Sequence, residues 1–395
     1  MNVNNEVEKV DDEVKGNDEL PLNENADLYQ QRNFYLSELQ RTSDKTDSSI
    51  KTVKTGINKF IQWIENHEYT VQDVDVQEVK EFVAWMENEE RLSAKTISNY
   101  SKHVSSMYEF YSNRGYYDRN PIGIALNSVN LPTEERHNPR REIPLEQVKE
   151  AVMATRNPET LTTIVLLLKT GMRRSEASNL DLQDVNIEDE RISHLLPEPR
   201  PEIEDEPDTL FIDSDIKEGR KFRGEERRMG NKRERDTIVP IDNELKRTLI
   251  YFISMHPPDP LNCEAEPLLR ILDNPKGGKL SEEDRPAVGR RVYPNRIGAM
   301  VEGWAKKHDW HTEDERYLQN ITTHSLRHLF AIEMRKRVDI DDLVDASDDQ
   351  VEIIQNYIKA LRGDVNGEAT EDYTKDWEPD WKKKVYSNAI YSLYD

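Results

Sequence analysis

Residues 170–176 read Thr170-Gly171-Met172-Arg173-Arg174-Ser175-Glu176. They follow Leu161 to Lys169, a run apolar enough to form a buried helix. Gly171 lets the chain turn sharply, and Ser175 and Glu176 suit the start of a new helix. Arg173 is then held at a turn between two packed helices. From this stretch alone, a helix C-cap followed by a solvated arginine pair is an equally good reading.

Working outward, residues 143–395 read as one mostly helical α+β domain. Leu145 to Ala154 and Leu245 to Met255 have helical spacing, as do Pro294 to Lys307, His324 to Val338, Gln350 to Ala360 and Trp377 to Tyr391. Leu210 to Asp213 and Thr237 to Ile241 read as strands of one small antiparallel sheet. On the N-terminal side, Pro132 to Arg141 is proline-bearing and basic, and residues 128–142 are expected to be an extended linker. Residues 27–127 read as a bundle of four helices. Its spacing shows in Ile50, Val53, Ile57, Phe60, Ile61 and Ile64, in Val76, Val79, Phe82, Val83 and Met86, and in Ile97, Tyr100, Val104, Met107, Tyr108 and Tyr111. Gly115 and Asn120-Pro121 punctuate its end. Residues 1–26 are rich in Asn, Asp and Glu without an apolar period and read as a disordered acidic tail.

Composition narrows the classes. The chain has 395 residues, 55 Lys and Arg against 78 Asp and Glu, a net charge of −23, and only 35% hydrophobic residues. No run of about 18 apolar residues is present, which excludes a membrane-spanning helix. Met1 to Leu20 has no apolar core and does not read as a signal peptide, so a cytoplasmic protein is expected. The single Cys263 excludes a disulfide framework and a cysteine-based zinc site. Taken at face value, −23 also argues against a nucleic-acid partner.

Three further features bear on chemistry. Arg220 to Arg235 holds eight Lys or Arg and three Glu between the two strands. A long basic hairpin arm suits phosphate contact, though solvated charged loops are common. Thr323-His324-Ser325-Leu326-Arg327-His328 puts His324 and Arg327 on one face at a helix start, where the amide groups also favour an anion. No Cys or well-spaced carboxylate completes a metal site with the two histidines. The fourth segment, Ala369 to Thr374, carries Tyr373 and says little alone.

In this order and at these separations, the features resemble the tyrosine recombinase (phage integrase) family. Thr170 to Glu176 resembles the family's T-G-L-R-x-S-E box, with Met172 in place of Leu. His324 to His328 resembles its H-x-L-R-H box, and Tyr373-Thr374-Lys375 its Y-T-H box, with Lys in place of His. Gly230 to Arg235 leading into Ile238-Val239-Pro240 resembles its basic β-hairpin, and the preceding bundle its SAM-like core-binding domain. The likeness covers about residues 27–395. It implies site-specific recombination of double-stranded DNA (integration, excision or resolution) by transesterification through a 3′-phosphotyrosine. It also implies a dimer to tetramer on DNA, with no cofactor. Tyr373 is then the nucleophile, with Tyr386, Tyr391 and Tyr394 as competitors better read as packing. Arg173 and Arg327 would hold the phosphate, His324 would assist the tyrosine proton or bind a phosphate oxygen, and Lys232 would protonate the leaving oxygen. Lys217 and Lys221 compete for that last role. Glu176 would orient Arg173. Arg136, Arg140 and Arg141 in the linker, and Arg227, Arg228, Arg233 and Arg235 on the arm, would touch DNA. One departure stands out: where the family usually carries Leu-Gly-His or Trp, this chain has Leu361-Arg362-Gly363-Asp364. Arg362 is the candidate substitute donor. The alternatives are a non-catalytic DNA-binding relative, a type IB topoisomerase-like enzyme, or an acidic adaptor with no DNA partner.

The charge then reads differently. Positive residues concentrate in the linker, the arm and the boxes, and acid lies elsewhere. A global acid excess with little apolar surface also resembles a salt-adapted proteome, in which salt screens repulsion from phosphate. A halophilic, archaeal host is the resulting expectation. Thermal unfolding followed from molar to millimolar salt should show stability lost as salt is removed; full stability at low salt would discard it.

Overall fold

Helix start signals and apolar spacing account for the first unit. The computed structural model describes residues 27–43, 45, 47–128, 141–233, 235–258, 263–273, 288–312, 319–341, 358–363, 383 and 386–394. The expected acidic tail, most of the expected linker with Arg136 and Arg140, and Tyr373 lie outside these residues.

Helix α1 (Leu28–Thr42) begins at Asp27, whose carboxylate accepts the Tyr29 N–H at 3.1 Å. In α2 (Asp47–His67), Val53, Ile57, Phe60, Ile61 and Ile64 form one buried stripe. A capping box opens α3 (Val76–Asn88): Asp75 accepts from Gln77 N–H, and Glu78 accepts from Asp75 N–H at 3.0 Å. Ser93 caps α4 (Ala94–Ser112), which packs along α2. A fifth helix, α5 (Pro121–Ser128), corrects the four-helix expectation. Asn120-Pro121 starts a helix there and does not end the bundle. The Asn120 carboxamide accepts the Gly123 N–H at 2.9 Å, and Pro121 sits where its missing N–H costs nothing. Ile122 and Ala125 then join Phe60, Trp63, Phe82 and Tyr108 in an aromatic-rich core. Tyr35, Leu36, Ile57, Met107 and Tyr111 form a second cluster. Each such side chain contributes roughly 1.5–3 kcal/mol through burial. The contacts divide the chain into units 1–137 and 138–395.

In the second unit, α7 (Pro158–Thr170) is the central helix. Its residues from Thr162 to Thr170 are all buried. Around it pack α6 (Leu145–Ala154), α8 (Arg174–Asn179), α9 (Asn243–Ile253), α10 (Pro294–Lys306) and α11 (Thr323–Asp341). The expected strands pair as part of a three-stranded antiparallel sheet: β1 (Val185–Asn186), β2 (Thr209–Ile212) and β5 (Thr237–Pro240), in the order β1-β2-β5. Leu210 faces Val239 and Ile212 faces Thr237. A separate hairpin, β3 (Lys221–Phe222) with β4 (Glu225–Glu226), lies inside the basic insertion. Arg223 and Gly224 turn it with φ of 51° and 82°, the left-handed pair that tight hairpins need.

Residues 386–394 lie on the same unit. The Tyr391 hydroxyl donates to the Leu168 carbonyl at 2.5 Å, and the Tyr386 hydroxyl donates to the Lys169 carbonyl at 2.8 Å. Both satisfy carbonyls that the end of α7 leaves unpaired. Burial pushes the Tyr391 hydroxyl well above the usual tyrosine range. Tyr394 shares a 2.9 Å hydrogen bond with Thr248. These tyrosines are packing residues, as the sequence suggests. Underneath, the fully buried Lys169 ammonium meets Asp242 and Glu244, each at 2.6 Å, and donates to the Tyr391 carbonyl. Burial alone would raise the Glu244 carboxyl, but Lys169 and Ser392 bring it below its usual range. Such a depressed carboxylate stabilises the fold fully above its unfolded pKa, and that stability is lost as pH falls through the folded value. Lys169→Met should therefore cost about 3 kcal/mol in urea unfolding at neutral pH. It should also make the acid limb of the stability curve shallower.

Candidate active site

The turn after α7 is built as the sequence suggests, and tightly. Gly171 takes φ 61° and caps the helix; a Cβ there would lie 2.4 Å from Phe330 of α11. Both the left-handed backbone and the space therefore require glycine. Arg173 follows as the residue before α8. Its backbone N–H donates to Glu176 Oε2 at 2.7 Å, and its Nη1 donates to Oε1 at 3.0 Å. One carboxylate thus caps the helix and grips the guanidinium.

The second box comes in from α11. Arg327 is buried, and its Nη1 donates to the Gly171 carbonyl at 2.6 Å. Its other terminal nitrogen donates to the Arg362 carbonyl. His324 and His328, one turn apart, bring their Nε2 atoms to 3.1 Å, with the rings edge to face. At that distance one ring nitrogen donates to the other, and which one does so depends on the tautomer. His324 is exposed, and Arg173 stays partly open, its side chain 28% accessible.

Three guanidiniums converge on three consecutive carbonyls at the end of the helical turn 358–362. Arg233 Nη2 donates to Leu361 O at 3.0 Å, Arg327 donates to Arg362 O, and both Arg173 terminal nitrogens donate to Gly363 O at 3.4 Å. Carbonyls at a helix end carry partial negative charge and lack intrahelical partners. At Arg362, then, the structure brings the backbone carbonyl to Arg327.

Arg233 also reaches Glu176: Nε lies 3.1 Å from one carboxylate oxygen and Nη2 donates to the other at 3.1 Å. Burial alone would raise the Glu176 carboxyl. The charges of Arg233 and then Arg173 outweigh it and hold the carboxyl below its usual range. Lys232, exposed, is bracketed by two anchors to α8: Arg233 on Glu176, and Asn231, whose Oδ1 accepts from Asn179 at 2.9 Å. Lys217 donates to the Ser214 carbonyl at 3.2 Å, and Lys221 is exposed on β3.

The arm needs correction. Arg227 and Arg233, expected at a DNA surface, are 1% and 4% exposed. Arg227 donates to Asp181 at 2.7 Å and to Glu225 at 3.3 Å. Arg223 donates to Asp181 and Asp184, and Arg291 meets Asp181 and Glu225. Much of the local positive charge therefore answers buried carboxylates within the protein. Against burial, Arg291 first and then Arg227 hold Asp181 below the usual aspartate range; at Asp184 burial prevails and the carboxyl is raised. Arg228 remains exposed, its guanidinium 3.6 Å over the Tyr293 ring, and Arg235 is half-buried. Arg141 donates to the Asp309 carbonyl at 3.2 Å. Among the described residues, no group of three or more His, Cys, Asp or Glu is placed to hold a metal ion, and no helix is long and apolar enough to cross a membrane.

Comparison with known proteins places this arrangement. Residues 35–118 match the phage integrase N-terminal SAM-like domain. The transposase from transposon Tn916 of Enterococcus faecalis is 24% identical over 296 residues, 71% of this chain and 62% of that protein. Tyrosine recombinase XerC of Roseiflexus castenholzii is 23% identical over 167 residues, 41% of this chain and 52% of that protein. By these matches the chain resembles the tyrosine recombinase (phage integrase) family. It spans less than two thirds of the length of these curated relatives. In fold it is similar to a lambda integrase dimer bound to a COC′ core site, with a TM-score of 0.56 at 11% identity over 89% of this chain and 97% of that one. The lambda integrase tetramer bound to a Holliday junction aligns with a TM-score of 0.54 at 12% identity, over 89% and 79%.

Within this fold, sequence reasoning missed the buried arginine and carboxylate network and the contact of Arg233 with Glu176. Neither has a local signal, because Asp181 and Arg291 are 110 residues apart. Arg227→Ala should destabilise the protein by about 3 kcal/mol by leaving buried carboxylates short of a partner. Arg228→Ala should cost less than about 1 kcal/mol. Urea unfolding of the two variants side by side separates the buried arginine from the exposed one.

Proposed function

We propose that the chain is a site-specific recombinase that cuts and rejoins double-stranded DNA through a 3′-phosphotyrosine bond. One observation carries this reading. Arg173 and Arg327, 154 positions apart, aim their guanidiniums at adjacent oxygens, those of Gly363 and Arg362. Donors arranged for two neighbouring carbonyl oxygens also suit the two non-bridging oxygens of a phosphodiester.

Tyr373 is the nucleophile. It stands ten residues after Gly363 in sequence, a stretch that spans at most about 35 Å, so the chain leaving the arginines is long enough to return its hydroxyl to them. The tyrosine oxygen attacks phosphorus and the bond from phosphorus to the 5′ oxygen breaks. The Tyr373 proton passes to the imidazole pair at His324. Lys232 gives a proton to the departing 5′ oxygen. Arg173 and Arg327 stabilise the extra negative charge of the five-coordinate phosphorus. One phosphodiester replaces another, so the step reverses without an energy source. Glu176 holds Arg173 for this work.

Exposed Arg228, with Arg235, Arg141, Arg136 and Arg140, contributes phosphate contacts that position the duplex without reading sequence. Two to four copies act together on DNA, a reading supported by the lambda integrase dimer and tetramer structures.

The test is covalent capture from a pool of nicked duplexes with a randomised core. The wild-type chain should leave a denaturant-resistant DNA adduct, and sequencing the trapped strands should return its site. Tyr373→Phe should abolish the adduct while duplex binding persists. Arg173→Lys and Arg327→Lys should slow adduct formation by about a hundredfold or more. Duplex binding with no adduct from any pool member would replace this reading with that of a non-catalytic DNA-binding relative.

A further inference from the structure

We infer that Arg233 is a positioning residue for Arg173, acting through Glu176, and not a DNA contact; this rests on the recombinase reading above. Arg233 is 4% exposed and its side chain is wholly enclosed. Its stem and guanidinium run against Gly363, where a Cβ would lie 2.9 Å from Arg233 Cγ, Nε and Cζ. Enclosed in this way, it has no path to a phosphate in the groove of a duplex.

Its charge is spent on one carboxylate. Glu176 sits between Arg173 and Arg233, with contacts of 2.7 to 3.1 Å to both residues. With Arg173 alone, the buried carboxylate would cancel the positive charge that has to meet the phosphate. With Arg233 present, two guanidiniums share one carboxylate and a unit of positive charge is left over. The same contacts, one to each carboxylate oxygen, fix the Glu176 rotamer. Arg233 therefore restores charge to Arg173 and removes its freedom to swing. Its donation to the Leu361 carbonyl ties the 358–363 segment to the same carboxylate.

The arrangement is poor as a device for stability. Arg233 Nη1 is buried and has no hydrogen-bond partner among the described residues, and an unmade bond at a buried charge is costly. Buried ion pairs are commonly replaced by apolar residues without loss of stability. A cost of that kind at a residue touching Glu176 fits a role in placing Arg173. No local signal marks it, since Arg233 follows Lys232 in a basic arm and reads there as one more phosphate contact.

The experiment compares Arg233→Met, which keeps the stem and removes the guanidinium, with Arg233→Lys, which keeps the charge. Adduct formation is timed at saturating concentrations of a nicked duplex recovered by the capture above, and the Kd for that duplex is measured alongside. Arg233→Met should slow the adduct by about tenfold to a hundredfold, with Kd and its salt dependence unchanged, and Arg233→Lys should recover most of the rate. In DNA-free protein labelled with 15N-arginine, the guanidinium signals of Arg173 should sharpen or persist in the wild type and Arg233→Lys, and broaden in Arg233→Met. If Arg233→Met fails to fold, Glu176→Gln serves in its place: it should broaden the same Arg173 signals, and unchanged signals there would overturn the inference. A folded Arg233→Met with wild-type rate and unchanged Arg173 signals would also overturn it. So would a loss confined to Kd with a shallower salt slope, which would return Arg233 to DNA contact. An Arg173 response in Arg233→Met, together with a wild-type protein that forms no adduct, would sink the recombinase reading and uphold the positioning.

Discussion

The buried carboxylate of Glu176 is the interaction on which the candidate site depends. It caps α8, grips Arg173 and meets Arg233 from the basic arm. A carboxylate taken out of water needs charge partners and hydrogen bonds on both oxygens, or it neutralises. That need draws together three pieces of chain: the turn after α7, the segment leading into β5, and, through the Leu361 carbonyl, the 358–363 turn. Arg327 joins the third of these to the first by donating to the Arg362 and Gly171 carbonyls. Geometry that positions two guanidiniums side by side is therefore a consequence of satisfying one buried acid and a few orphan carbonyls.

A second set of buried charges does for the arm what Glu176 does for the site. Asp181 accepts from Arg223, Arg227 and Arg291, while Glu225 meets Arg227 and Arg291. The hairpin β3–β4 has only two residues per strand, too few to hold itself in water. Ion pairs made by Arg223 in its turn, Glu225 in β4 and Arg227 just beyond hold it against the body of the unit. The basic run is therefore divided by burial: some arginines are structural counter-ions, and others, such as Arg228, keep an exposed charge. Burying arginine against acid removes charge of both signs equally, so the net of −23 stays with the remaining residues, and contact with phosphate rests on local exposed cations such as Arg228.

Much was legible in one dimension. The apolar stripes of α2, α3 and α4 announce themselves by period, since a helix in water buries one face. The Thr-Gly turn, the strands flanking the arm and the His-x-Leu-Arg-His helix start likewise announce themselves by type and order. The fifth helix was misread because Asn-Pro ends one element and begins another with equal ease. Arg227 and Arg233 were misread because an arginine in a basic run carries no mark of which carboxylate, if any, lies opposite it. Tyr386, Tyr391 and Tyr394 were separated from Tyr373 by their place at the end of an amphipathic stretch, and the α7 carbonyls explain the first two.

Residue chemistry and order by themselves determined the helical architecture, the small sheet, the family likeness and the two arginines that belong together. Those depend on properties each residue carries wherever it sits: helical period, turn preference, a permanent charge. Only the tertiary structure decided which charges are used up. Whether an arginine faces solvent or a buried acid depends on partners up to 190 positions away, and desolvation makes that choice worth several kcal/mol. Glu176 reads in sequence as the last of the seven residues of a turn motif; folding makes it the point where Arg173, Arg233 and, through Arg233, the Leu361 carbonyl are held.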